Sequence, residues 1–274
     1  MNPVAVEFGI FTIYWYSLFV LGGFLVGYFL LYREFKKQEM SLDFLSNYFF
    51  FIIPIVIAGA RIQYVIFKWE NYQNNLSQIF AIWNGGLAIH GGIIAGVFFS
   101  IYYAKKHNIN IIRFLDMCAP SLIIGQAIGR WGNFFNQEAF GYPVDAEFLR
   151  SIFIPGFVID GMKINGVYHH PTFFYEFLLC ILGFIIIMFI RHRKNTKLGI
   201  QTSLYFIIYG ASRFFVESLR TDSLMIGNIR VAQLISVILI LGGLIFLIKQ
   251  IRTEKTLYYE EKKPEKKKKK KGRK

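Results

Sequence analysis

The chain has 274 residues, 54% hydrophobic and 18% aromatic, with a mean hydropathy of +0.41 and a formal charge of +14. Apolar runs of about 20 residues recur along it, each enough to cross a bilayer, so a water-soluble domain is excluded and an integral membrane protein expected. Two cysteines, Cys118 and Cys180, both inside apolar runs, build neither a disulfide framework nor a zinc site.

The first candidate span covers 11–32. It is too long for the apolar core of a signal peptide, follows Glu7 rather than lysines and precedes no small-residue cleavage site, so it is read as a mature helix. Tyr16, within Tyr-Trp-Tyr-Ser, sits at its start, where aromatic-belt residues gather. The second span, 45–67, holds Arg61 behind Gly59 and Ala60; such a cation needs a partner, in the fold or in a pocket. The third, 86–104, contains His90 between glycine pairs, which let another backbone or a lipid approach the imidazole. An intramembrane histidine serves either as an interhelical hydrogen-bond donor or as a chemical group.

The fourth span, 111–129, runs into the polar stretch 129–141, which carries Arg130, Asn133, Asn136 and Glu138. Charged side chains beside hydrocarbon are costly and mark a site. The segment 130–170 is punctuated by Gly141, Pro143, Pro155, Gly156, Gly161 and Gly166, and is expected to form a small extracytoplasmic head, with Phe148, Ile152, Phe153 and Ile154 on the membrane surface. Span five, 171–190, opens with His170, Tyr175 and Glu176 around Pro171, read here as structural groups. Span six, 199–218, ends in Arg213, Glu217 and Arg220, whose spacing of four and three places them on one helical face, the two guanidiniums about 10 Å apart along the axis. They form either a self-neutralised ladder or, because one Glu does not balance two arginines and Arg130 adds a third, an anion site suited to phosphate. Span seven is 230–250, and the lysine-rich segment 254–274 is expected to be a disordered tail touching anionic lipid, not nucleic acid.

Seven crossings make an all-α seven-helix bundle, residues 1–253 forming the membrane domain and 254–274 the tail. Arg33, Lys36 and Lys37, then Lys105, Lys106 and Arg113, then Arg191, Arg193, Lys194 and Lys197 fill alternate connections, which predicts an outside N-terminus and a cytoplasmic C-terminus. No Gly-x-Ser-x-Gly elbow, phosphate-binding loop or dinucleotide fingerprint is present. An anion or lipid transporter would use the same arginines but shows no duplicated half here; a signal-peptide chaperone would need a groove without phosphate-binding arginines.

The segment Gly129–Gly141 resembles the signature of the prolipoprotein diacylglyceryl transferase family, with Gly129, Arg130, Gly132, Asn133, Phe134, Asn136, Glu138 and Gly141 all matching. The stretches 85–92 and 213–222 are similar to that family's histidine and second arginine motifs, and Gly59-Ala60-Arg61 to a smaller one. Ser17 and Phe173 depart from the pattern, where glycine and glutamine are usual. The resemblance implies a bacterial cytoplasmic-membrane enzyme that moves the diacylglyceryl group of phosphatidylglycerol to the lipobox cysteine of a prolipoprotein signal peptide. It implies Arg130 and Arg213 as head-group arginines, His90 as the essential histidine, and Asn133, Glu138, Arg220 and Tyr16 as supporting residues. The residue reading adds Arg61 to the pocket and gives Glu138 and Glu217 the task of holding the arginines. No metal or other cofactor is required, since guanidiniums stabilise a phosphate leaving group and a neutral His90 can serve as base to the thiol or simply orient the lipid.

Overall fold

A computed structural model describes residues 1–9 and 11–259. The chain opens in an antiparallel hairpin, β1 (Val4–Phe8) and β2 (Phe11–Tyr14), with Val4 opposite Tyr14 and Glu7 opposite Thr12. The first helix, α1 (Trp15–Lys37), therefore begins four residues after the expected start of the first span. The physical reason lies in residues 4–14, whose β-branched and aromatic side chains on either side of Gly9 suit a hairpin.

Six further long helices follow: α2 (Leu42–Phe67), α3 (Ile89–Lys106), α4 (Ile111–Asn136), and, after a segment of short elements, α7 (Thr172–Arg191), α8 (Ile200–Leu219) and α9 (Val231–Thr253). Side chains cap two of them. Ser41 accepts from the Phe44 amide at the start of α2, and Asn110 from the Ile112 and Arg113 amides at the start of α4. By length and composition, α1, α2, α4, α7 and α9 can cross a membrane. The shorter α3, and α8 with its Gln201, Thr202, Arg213 and Glu217, fall below that apolar threshold.

Helix α1 packs on α4, α2 on α3, α7 on α4 and α8, and α9 on α8. Small residues allow the first two approaches: a Cβ on Gly23 would meet the Gly125 carbonyl oxygen at 2.7 Å, and one on Gly91 would collide with the Gly59 carbonyl oxygen. The outward faces remain apolar and uncovered, with Ile66 66%, Phe98 71% and Ile245 68% exposed, a surface that belongs in hydrocarbon rather than water.

At the basic end of the bundle, Phe35, Phe44, Leu45, Phe114 and Met117 make an apolar core. Beside it runs a buried polar network. Arg191 donates to Gln201 Oε1 at 2.6 Å and to the Asp116 and Met117 carbonyls, and lies 3.5 Å from Glu34; Asp116 accepts from the Gly199 and Thr202 amides. Arg191 is thus a buried tie between helices and not a solvated loop cation. Tyr258 is fully buried and donates to Glu34 at 2.9 Å, while Leu198 and Thr256, and Thr196 and Tyr258, are joined by backbone hydrogen bonds. This corrects the expected start of the tail: the packed chain continues to Tyr259, and 260–274 lie outside the described residues.

At the opposite end, the segment between α4 and α7 folds into α5 (Ala146–Ser151), α6 (Gly156–Gly161) and the hairpin β3 (Lys163–Ile164) with β4 (Val167–Tyr168). Leu149, Ile154, Val158, Ile159 and Met162 bury against Phe134 of α4 and Phe173 and Phe174 of α7. Ile154 therefore belongs to that core, whereas Phe148, Ile152 and Phe153 are exposed. A third hairpin, β5 (Met225–Ile226) with β6 (Ile229–Arg230), links α8 to α9. The chain is mostly helical, as expected, with three short two-stranded hairpins at helix ends added to it.

Candidate active site

The signature helix α4 ends where Gln137 takes a left-handed backbone (φ 50°), and Ala139 repeats it (φ 58°). Both are unusual for residues other than glycine, and such strain persists only where surrounding contacts hold it. The holding contacts are present. Thr172 donates to the Ala139 carbonyl; the Gly141 amide donates to His170 O at 3.0 Å and the Tyr142 amide to Leu219 O at 3.0 Å. His169 Nδ1 lies 2.8 Å from Gly141 O. The loop after α4 is thereby pinned to the start of α7 and the end of α8, which brings three sequence-distant polar groups to one place.

Glu176, only 2% exposed, is at the centre of that place. Its Oε1 accepts from Arg130 Nη2 at 2.6 Å, and its Oε2 from Arg213 Nη1 at 3.3 Å. Arg213 Nη2 is 2.7 Å from Glu217 Oε2, which also lies 4.0 Å from Arg220 Nε. Arg220 in turn donates to both oxygens of Asp222 at 2.9 Å, a bidentate pairing that holds the Asp222 carboxyl below its usual range. Three arginines thus meet three carboxylates. The expected surplus of positive charge is corrected, because Glu176 and Asp222 supply two anions that the sequence reading left out of the cluster. A strong buried donor remains available, since among the described residues Arg130 Nε has no hydrogen-bond partner.

Among the described residues Glu138 makes no ion pair with the arginines. It accepts from Asn133 Nδ2 at 2.8 Å and from Asn136 Nδ2 at 3.4 Å, locking the turn after the signature helix. Tyr16 is brought to the same helix: a Cβ on Gly132 would lie 2.7 Å from the Tyr16 ring, so glycine is what lets the start of α1 close on α4. Trp15 stacks on Phe135 beside it at 4.9 Å.

His90 and Arg61 belong to the α2–α3 pair instead. Arg61 is buried and gives its donors to the carbonyls of Gln78, Ile79, Gly85 and Gly86 at 2.7–2.9 Å, fastening the loop that leads into α3. His90 is the second residue of α3 and exposed. Among the described residues no hydrogen bond or ion pair joins it to the arginine cluster. Glu176 had a sequence signal, as the one carboxylate in an otherwise apolar span, and Asp222 stood two residues after a motif arginine. His170, whose Nδ1 meets the Tyr175 hydroxyl at 3.1 Å, is kept below its usual pKa by burial.

Residues 3–249 match the sequence profile of the family described as Prolipoprotein diacylglyceryl transferase. The chain belongs to that family. It is 46% identical over 262 residues to the phosphatidylglycerol–prolipoprotein diacylglyceryl transferase of Staphylococcus haemolyticus, covering 95% of this chain and 92% of the relative. Identity is 44% over 246 residues to the enzyme of the same name from Halalkalibacterium halodurans, covering 89% and 85%. The Streptococcus agalactiae serotype V enzyme of that name is 43% identical over 260 residues, 94% of this chain and 100% of the relative. The diacylglyceryl transferase family thus embraces nearly the whole membrane bundle, and both arginine motifs and the histidine stretch lie inside the matched residues.

Proposed function

We infer that this chain transfers the diacylglyceryl group of phosphatidylglycerol to the lipobox cysteine of prolipoproteins. The thiolate sulfur attacks the glycerol carbon that bears the phosphodiester. The carbon–oxygen bond breaks with its electron pair going to the phosphate, glycerol 1-phosphate departs, and a thioether remains; the thiol proton goes to a base. Negative charge grows on the leaving phosphate, and guanidiniums fixed beforehand in a low-dielectric site stabilise it more than they stabilise the intact lipid.

The observation that carries this reading is the Glu176 bridge between Arg130 and Arg213, which leaves Arg130 Nε buried and unpaired. Glu176 and Glu217 orient the two forks, and the lipid phosphate takes the spare donor of Arg130 together with the outer edges of Arg213 and Arg220. Tyr16, Asn133 and Glu138 shape the wall beside it. His90 acts on the thiol or the lipid from α3, and Arg61 serves it by holding the loop before that helix rather than by touching substrate. All seven long helices cross the bacterial cytoplasmic membrane, with the head and the arginine cluster on the outer side and the polybasic tail in the cytoplasm. The signal peptide and lipid enter sideways from the bilayer, and the head guides the peptide.

The test is direct. Purified chain incubated with phosphatidylglycerol and a lipobox peptide is expected to raise the peptide mass by one diacylglyceryl group, and an unchanged peptide mass with folded protein overturns the assignment. A serine in place of the acceptor cysteine is expected to block the gain.

A further inference from the structure

One helical turn from Arg130, towards the middle of α4, the same face carries Gln126. Its Nε2 is 3.0 Å from the Tyr205 hydroxyl of α8, while Oε1 is buried and has no hydrogen-bond partner among the described residues. Oxygen and nitrogen of a carboxamide are assigned from their contacts, so the finding is that one end of this amide is paired with Tyr205 and the other is not. The surroundings are apolar: Ile123, Ala127 and Cys180 are fully buried, with Ile124, Phe177 and Ile208 against them. Tyr205 and Tyr209 stack in parallel, centroids 5.8 Å apart, along the face of α8 that ends in Arg213. Among the described residues, two of the unpaired buried groups therefore lie one turn apart on α4, a guanidinium nitrogen and, nearer the centre of the span, half an amide.

That order matches the chemistry of a phosphoglyceride. With the phosphate at Arg130, the glycerol backbone runs towards the bilayer centre and its acyl esters come next, presenting carbonyl oxygens that need a donor. With the Tyr205 hydroxyl donating to the Gln126 oxygen, the amide N–H₂ is left free to supply one. We propose that Gln126, oriented by Tyr205, hydrogen-bonds an acyl ester carbonyl of the lipid donor and makes the site selective for ester-linked over ether-linked chains. The proposal rests on the transferase reading above, and it gives the free amide end in an apolar seam the partner that a buried carboxamide ordinarily has.

The experiment compares phosphatidylglycerol carrying two oleoyl esters with its dialkyl ether counterpart, both reconstituted in liposomes, as donors to a lipobox peptide. Wild type is expected to favour the ester by about fivefold to tenfold in kcat/KM, the range of one neutral hydrogen bond. Gln126→Leu should bring that ratio close to unity, mainly by slowing the ester reaction. Because Gln126→Leu leaves the Tyr205 hydroxyl alone, the double variant Gln126→Leu/Tyr205→Phe removes the pair together and supplies a folded comparison if the single variant is unstable. Equal use of both lipids by wild type overturns the proposal. So does an unchanged ratio in the variants, or loss of turnover on both lipids in folded variants, which would give Gln126 a broader task. Any transfer from the ester lipid by wild type keeps the transferase reading intact in each of these cases, whereas no transfer at all sinks that reading first.

Discussion

Glu176→Gln keeps the shape of the bridging side chain and removes its charge. The amide oxygen can still accept from Arg130 across the present 2.6 Å contact, but the amide nitrogen then faces Arg213 Nη1 at 3.3 Å, donor against donor. Arg213 keeps its ion pair with Glu217 at 2.7 Å, so one charge-assisted bond is lost rather than two. Such a bond contributes about 1.5–3 kcal/mol. If all of it positions the guanidinium for the transition state, kcat/KM falls by about 10-fold to 150-fold at 1.36 kcal/mol per decade. The assay is peptide lipidation followed by mass spectrometry at matched amounts of folded protein, with thermal unfolding measured alongside. A variant less stable than wild type but with kcat/KM per folded molecule within twofold would refute the positioning role and leave Glu176 as a purely structural tie. The sequence reading placed Glu176 in that structural class, so this measurement also judges between the two assignments.

Four other substitutions probe the neighbouring groups. Arg130→Lys and Arg213→Lys should each lower turnover by about tenfold or more, because an ammonium cannot hold Glu176 and a phosphate oxygen with a planar fork, and full activity in both lysine variants would remove the phosphate role. Arg220→Lys, at the end of the cluster, should be milder in the same assay. His90→Gln should lose rate at pH 6, and if His90 is the base the deficit should shrink as pH approaches the ordinary thiol pKa of about 8.5, where thiolate forms unaided. A ratio of wild-type to variant rates that stays flat with pH assigns His90 to positioning the lipid instead.

Much of this protein is legible without coordinates. Apolar runs of bilayer length locate the long helices because burial of the backbone in hydrocarbon demands internal hydrogen bonding, a local property of each segment. The identity of the family is equally local, carried by contiguous stretches such as Gly129–Gly141 and Arg213–Asp222. What a linear reading undercounts is charge pairing. Glu176 stands 46 residues from Arg130 and 37 from Arg213, and Arg191 stands 157 from Glu34, so nothing in the spacing of either group announces its partner. Close approach at Gly23 and Gly132, and the pinned loop at Ala139 and Gly141, help determine which helix faces meet. Arg61 shows the same division: its need for a partner follows from its place in an apolar span, but only the path of the chain back to Gly85 and Gly86 decides that backbone carbonyls meet it. Segment chemistry thus determined the helices and the reaction class. Packing decided which charges are neutralised, and among the described residues left Arg130 Nε and one end of the Gln126 amide, with a few buried hydroxyls and side-chain atoms elsewhere, without a hydrogen-bond partner.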